Sequence, residues 1–236
     1  MNRYARATLA VLLIGLVSAC GSQPIGRPVE NPTQRIEIVG ASVLPPQGNN
    51  WLVAYELGKR VTGRVPIRIY GPPDQFRGSR PFAIAFSKSP VRESADPTHT
   101  LIAQAEFVEL REHKLETLAD FREYIQWVAY LGSGPPADRF RITDERTSVA
   151  SDFGAHCFRY DSVSEERENA RVPNAVLVLT ISIVLCRHPL DPRYAISVSY
   201  SERYKTEQGS YLDDALRSEL DAFRKSVVFI PVTERP

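Results

Sequence analysis

The sequence has no apolar run of the roughly 20 residues that a membrane-spanning helix needs. Neither residues 9–17, broken by Gly15, nor residues 175–186 reach that length, so a permanent transmembrane anchor is not expected. There is no excess of either charge: 29 basic and 28 acidic residues give a net charge of +1, so no polyanionic partner is implied and nucleic acid is not expected. No G-x-S-x-G, H-E-x-x-H, Walker A or G-x-G-x-x-G pattern occurs, and with them go the common signatures of serine hydrolases, zinc peptidases and nucleotide binding. Histidine is scarce. His99, His113, His156 and His188 lack metal-ligand spacing, and the cysteines form no C-x-x-C pair, so neither metal nor cofactor is expected.

What is present begins with a secretory signal. Arg3 and Arg6 precede the short apolar stretch, and Ser18-Ala19 follow it, the order of n-region, h-region and cleavage site. Val17-Ser18-Ala19-Cys20 resembles the lipobox of bacterial lipoproteins. That resemblance implies cleavage before Cys20, a diacylglycerol on its thiol and an acyl chain on its amine. It places the protein in the cell envelope as a membrane-anchored lipoprotein facing the periplasm. The same residues also satisfy ordinary small-x-small cleavage after Ala19, which leaves Cys20 a free thiol.

Cysteine parity bears on this choice, because an odd thiol in a secreted chain needs an explanation. With Cys20 acylated, Cys157 and Cys186 remain as a pair for an oxidising compartment. A disulfide closing a loop near 30 residues is worth roughly 3.5 kcal/mol on the chain-entropy estimate. Two separate buried thiols are the alternative. Removal of residues 1–19 takes Arg3 and Arg6 and no acid, so the remaining 27 basic and 28 acidic residues carry a net charge of −1.

Residues 21–35, "GSQPIGRPVENPTQR", interleave Pro24, Pro28 and Pro32 with glycine and polar groups, a composition unable to bury a core. Residues 20–35 are therefore expected to be the lipidated cysteine and a flexible tether of about 20 Å r.m.s. reach. Residues 36–236 lack a second linker or repeat and suit one domain.

Within that domain, period-two runs rich in Val, Ile and aromatics predict strands at 35–44, 51–57, 65–70, 82–87 and 100–110. The period then changes. Leu115, Leu118, Phe121, Ile125 and Val128 predict a helix that stops at the Gly-Pro run of 132–136. Strands return at 140–149, 155–163, 175–186 and 194–204. In the third of these Leu177, Leu179, Ile181, Ile183 and Leu185 predict a central strand packed on one side, with Thr180 and Ser182 on the other. Residues 164–171, "SEERENAR", read as a solvated loop. A second helix is expected from Ser210, which precedes Asp213 at capping spacing, with Asp213 and Asp214 at the positive end of the dipole and Leu212, Leu216, Leu220, Phe223 and Val227 as its buried stripe. The plan is α+β: a single domain, mainly antiparallel β-sheet covered by two helices.

That element order resembles PsbP-like domains. "LPPQGNNW", "GAHC" and "YSERY" are similar to segments of uncharacterised proteobacterial envelope lipoproteins. The resemblance implies a fold and a location and carries no activity.

Two constellations remain. His156-Cys157 places a base beside a sulfur, but neighbouring strand residues point to opposite faces. Tyr124, Trp127 and Tyr130 flank the first helix, and Tyr200, Arg203 and Tyr204 end a strand. Tyr124, Trp127, Tyr200, Arg203 and Tyr204 are thus the candidate binding surface, since Trp, Tyr and Arg dominate hot spots; partial burial against the sheet accounts for them equally well. The expected function is a non-catalytic binding or assembly module, lipid-anchored in the envelope, with a protein or polymer partner. The alternative is an envelope enzyme, hydrolase-type, whose site forms only on folding.

Overall fold

The alternation in residues 177–187 sets the architecture. The computed structural model describes residues 26–62, 65–88, 98–131, 140–167, 172 and 174–232; Cys20 with its lipobox and the Gly-Pro run at 132–136 lie outside the described residues. In chain order the elements are β1 (Arg27–Pro28), β2 (Ile36–Ile38), β3 (Ala41–Val43), β4 (Trp51–Thr62), β5 (Val65–Gly71), β6 (Ala83–Lys88), β7 (Thr100–Glu109), α1 (Leu118–Leu131), β8 (Phe140–Val149), β9 (Cys157–Glu166), β10 (Leu177–Arg187), β11 (Tyr194–Lys205), α2 (Asp214–Lys225) and β12 (Val228–Phe229). Nine strands form one antiparallel sheet in the order β1-β4-β6-β7-β11-β10-β9-β8, with β5 also on β4. A second sheet has the order β12-β3-β2.

The fold is the expected one, an antiparallel sheet with two helices, but the sheet is covered on both faces. Leu179, Ile181, Ile183 and Leu185 pack with Phe121, Tyr124 and Ile125 of α1. Val184 and Cys186, of the opposite parity, join Phe86, Val198, Leu220 and Phe223 in the core under α2. The expectation of a β10 packed on one side fails because Ser182 is also buried there, receiving a 2.6 Å hydrogen bond from Arg224 Nη1. A polar residue in an even position does not make a solvent face when a charged donor covers it.

Cys157 and Cys186 are directly opposite in the β9–β10 register, with Cα atoms 4.0 Å apart, and are joined by a disulfide. Pairing at one register position, rather than two separate thiols, follows from the antiparallel hairpin.

Several boundaries differ from the sequence expectation. Residues 35–44 form two short strands, because the chain turns at Gly40 (φ 74°), where an added Cβ would lie 3.0 Å from the Phe107 ring. Residues 164–166 belong to β9, with Ser164 and Glu166 buried, not to a solvated loop. α2 begins one turn later than Ser210: Asp213 is the cap, accepting from Leu216 N at 2.8 Å, and Leu212 and Val227 pack from outside the helix. Part of the segment expected to be a tether is bonded to the domain. Arg27 and Pro28 pair with Val53 and Leu52, Val29 N donates to Trp51 O at 2.9 Å, and Gln47 Nε2 donates to Pro32 O at 2.9 Å. Proline at an edge strand sacrifices no ladder bond, so a Pro-rich stretch can still be strapped to a sheet.

Candidate functional site

A concave site lies beside the disulfide, between the last turn of α2 and the single 3₁₀ turn Ser151–Phe153 that links β8 to β9. Its cavity, of about 80 Å³, has an apolar lining of Phe153, Cys186, Ile196, Val198, Val227 and Phe229. Asp152, Arg224 and Lys225 supply the charged lining. The Phe153 ring collects three cations, Arg159, Arg224 and Lys225, at 5.6, 5.9 and 6.0 Å from its centroid. Asp152 draws in Arg159 at 3.4 Å and Lys225 at 3.6 Å. Arg224, with only 4% of its side chain exposed, also pairs with Asp221 and lies 4.9 Å from the Tyr200 ring centroid. An apolar hollow with more positive than negative charge around it suits a small apolar group carried next to an acid.

Two further clusters hold buried charge. On the α1 face, Arg68 of β5 bonds Glu56 of β4 and lies 3.1 Å from Glu106 of β7. Gln104 Nε2 donates to Tyr70 Oη at 2.6 Å beside them. Burial alone would lower the Arg68 guanidinium, but Glu106 and Glu56 hold it above its ordinary value. Burial, then the neighbouring Glu106, pushes Tyr70 and Tyr124 well up. These phenols stay protonated and both carboxylates are bound to one guanidinium, so the cluster offers no poised base.

The second cluster is built on Glu202. Its Oε1 accepts from Tyr211 N at 2.7 Å and lies 2.8 Å from His99 Nε2, while Ser210 Oγ donates to Oε2. His99 stacks on Tyr211 with centroids 3.7 Å apart. Ser210 touches the carboxylate rather than the imidazole, so this is a clamp on the entry to α2 and lacks the nucleophile–base contact of a triad.

The five residues expected to form a binding surface are not brought together. Strand parity puts Tyr200 and Tyr204 on the α2 face and Arg203 on the α1 face. Tyr200 is buried under Arg224, and Arg203 is buried against Glu166. Tyr204 neighbours His99, with centroids 5.9 Å apart. Tyr124 is buried in the α1 core, and Trp127 packs partly against that core, 4.6 Å from His113. The helical spacing of Tyr124 and Trp127 marks the inner flank of α1. His156 does not share a site with Cys157: it turns away at φ 58° and its Nδ1 lies 3.8 Å from Glu116. The sequence reading missed Phe153, Arg224 and Lys225. The two cations look like ordinary last-turn residues, and nothing local announces that a phenylalanine from another loop sits among them.

Compared with known proteins, the sequence matches no family profile and no curated relative. The structure is similar to that of the Saccharomyces cerevisiae Ran-binding protein Mog1p, at 10% identity and a TM-score of 0.45, over 83% of this chain and 94% of that one. It is likewise similar to a point mutant of Mog1, at 10% identity and a TM-score of 0.44, with the same coverage. At that distance the neighbours bear on neither the chemistry nor the partners of this chain.

Proposed function

We propose that this chain is a lipid-anchored protein of the cell envelope that works by binding or assembly rather than by catalysis, with the cavity beside the disulfide as its docking point. The observation that carries the reading is the contrast between its clustered charges and the hollow beside the disulfide. The clustered carboxylates Glu56, Glu106, Glu166 and Glu202 are each engaged by an arginine or a histidine, whereas the hollow sets apolar side chains beside two cations, Arg224 and Lys225, and one carboxylate, Asp152. Such a hollow suits a partner's apolar side chain carried next to an acid. The cross-strand disulfide supports an oxidising compartment, and among the described residues no helix is long and apolar enough to cross a membrane. The Cys20 lipobox supplies the attachment.

Mass spectrometry of the protein extracted from membranes tests the anchor. A diacylglyceryl Cys20 at the mature N-terminus, absent from Cys20→Ala, is expected; an unmodified Cys20 overturns it. Turnover of an envelope substrate, abolished by changing one Asp, Glu or His, would overturn the non-catalytic reading.

A further inference from the structure

Strand β1 runs antiparallel to β4, with Arg27 opposite Val53 and Pro28 opposite Leu52. Backwards from Arg27 the described chain ends at Gly26, on the side of β4 that leads towards Tyr55. There the same edge is already taken by Gly71, the end of β5. Arg27 ties this start of the described chain to the turn that follows β5 by pairing with Asp74 at 2.7 Å.

Six residues, 20–25, separate the lipobox cysteine from the described domain. Fully extended they span at most about 20 Å, against about 50 Å for the whole of residues 21–35. Leu57 lies about 13 Å along β4 from Val53, inside that radius. The register shift between Glu56 and Gly58 makes Leu57 a bulge residue, and it is 37% exposed, with Ile69 at 47% on the adjoining strand. Leu57 lies against the backbone of Gly71, where an added Cβ would be 2.4 Å from its Cδ1. Phe76 is half-buried against Tyr55, and Arg77 Nη1 donates to Asp74 O at 2.9 Å. Two exposed branched apolar side chains on β4 and β5, with Arg27 and Arg77 both bonded to Asp74 in the turn that follows β5, match a layer that is apolar beneath and phosphate-bearing above.

We propose that this corner of the sheet docks on the bilayer that holds the anchor, with Leu57 and Ile69 entering the headgroup layer and Arg27 and Arg77 meeting lipid phosphates. The proposal rests on the reading of Cys20 as acylated. It gives the domain a fixed orientation: the β1–β4–β5 edge faces the membrane, while the opposite edge strand β8 stands six strand spacings from β4, about 29 Å along the sheet.

The test uses the full-length lipoprotein in vesicles of phosphatidylethanolamine and phosphatidylglycerol. With Cys20 acylated and Cys157 bridged to Cys186, Leu57→Cys supplies the one free thiol for a nitroxide. Ile69→Cys is a second reporter, and Val149→Cys, at a 58% exposed position on β8, is the control. At positions 57 and 69 the nitroxide should gain oxygen contact and lose contact with a water-soluble nickel complex, relative to position 149. Equal accessibility at all three positions, in protein whose mass shows acylated Cys20, overturns the docking and leaves the anchor standing. A mass showing unmodified Cys20 overturns both. Shielding of positions 57 and 69 from oxygen as well as nickel points to a protein or a second copy on this face and overturns the lipid assignment.

Discussion

Arg203 of β11 reaches across β10 to Glu166 of β9, Nε to Oε2 at 2.9 Å, with 5% and 0% of their side chains exposed. The two residues pair with Leu179 and Leu177 respectively, so the ion pair lies diagonally over the central strand. Two charges removed from water in this way stabilise little by their attraction, but separating them is expensive. Arg203→Ala should cost about 3–5 kcal/mol by leaving a buried carboxylate without its guanidinium. Urea unfolding of Arg203→Ala and of the double variant Arg203→Met with Glu166→Leu checks this. The double variant should recover most of the loss, and a loss under about 1 kcal/mol in the single variant would show that water reaches Glu166.

The disulfide makes a second expectation. Unfolded without reductant, the mature protein should take up no alkylating agent at Cys157 or Cys186. Reduction should lower the urea midpoint by the equivalent of about 2–5 kcal/mol. Quantitative labelling of both thiols before reduction would contradict the bridge.

The start of α1 carries a pH-dependent contact. Asp120 Oδ2 accepts from Thr117 N at 2.8 Å and from Glu116 N at 3.0 Å, while Asp120 N donates to Thr117 Oγ1 at 3.2 Å, a reciprocal cap. The backbone bond from Thr117 holds the Asp120 carboxyl below its ordinary value of 3.8. A group depressed on folding contributes stability above its unfolded pKa and loses it as pH falls through the folded one. Asp120→Ala should therefore lower Tm at pH 7, and the gap from the parent should close as the solution is taken below the ordinary carboxyl range. A gap that persists unchanged into strong acid would mean that the aspartate acts through packing. Thr117→Ala, which removes the other half of the cap, should cost about 1 kcal/mol.

The plan of the domain was legible in its periodicities. Leu177 to Leu185 announce a strand, and Leu118, Phe121 and Ile125 a helix, because a period of two or of 3.6 is imposed by the backbone and needs no knowledge of neighbours. Legibility fell where the partner is remote. Arg203 and Glu166 look like surface charges in isolation, and only the β9-β10-β11 order turns each into the other's counterion. Strand parity, however, already separated Arg203 from Tyr200 and Tyr204, and that signal was present in the sequence. The strap Arg27–Pro28 was hidden for another reason. Composition reports the average need of a segment for burial, and two backbone pairings at a sheet edge barely change that average.

The pairing of β12 with β3 has a consequence in time. Val228 and Phe229 lie opposite Ser42 and Ala41, and Leu44 N donates to Ser226 Oγ across a sequence separation of 182. Closing a loop of that length costs about 4.6 kcal/mol in chain entropy, whereas the β8–β9, β9–β10 and β10–β11 pairings join strands that are neighbours in sequence. Contacts of such high sequence separation form slowly. A chain delivered from its N-terminus would thus hold its β10-centred hairpins, and lock its disulfide, while β2 and β3 still wait for the strand that completes their sheet. Until residues 226–229 arrive, the core under α2 stays open on that side, and the nascent protein is exposed to proteases and holding chaperones at its beginning rather than at its middle.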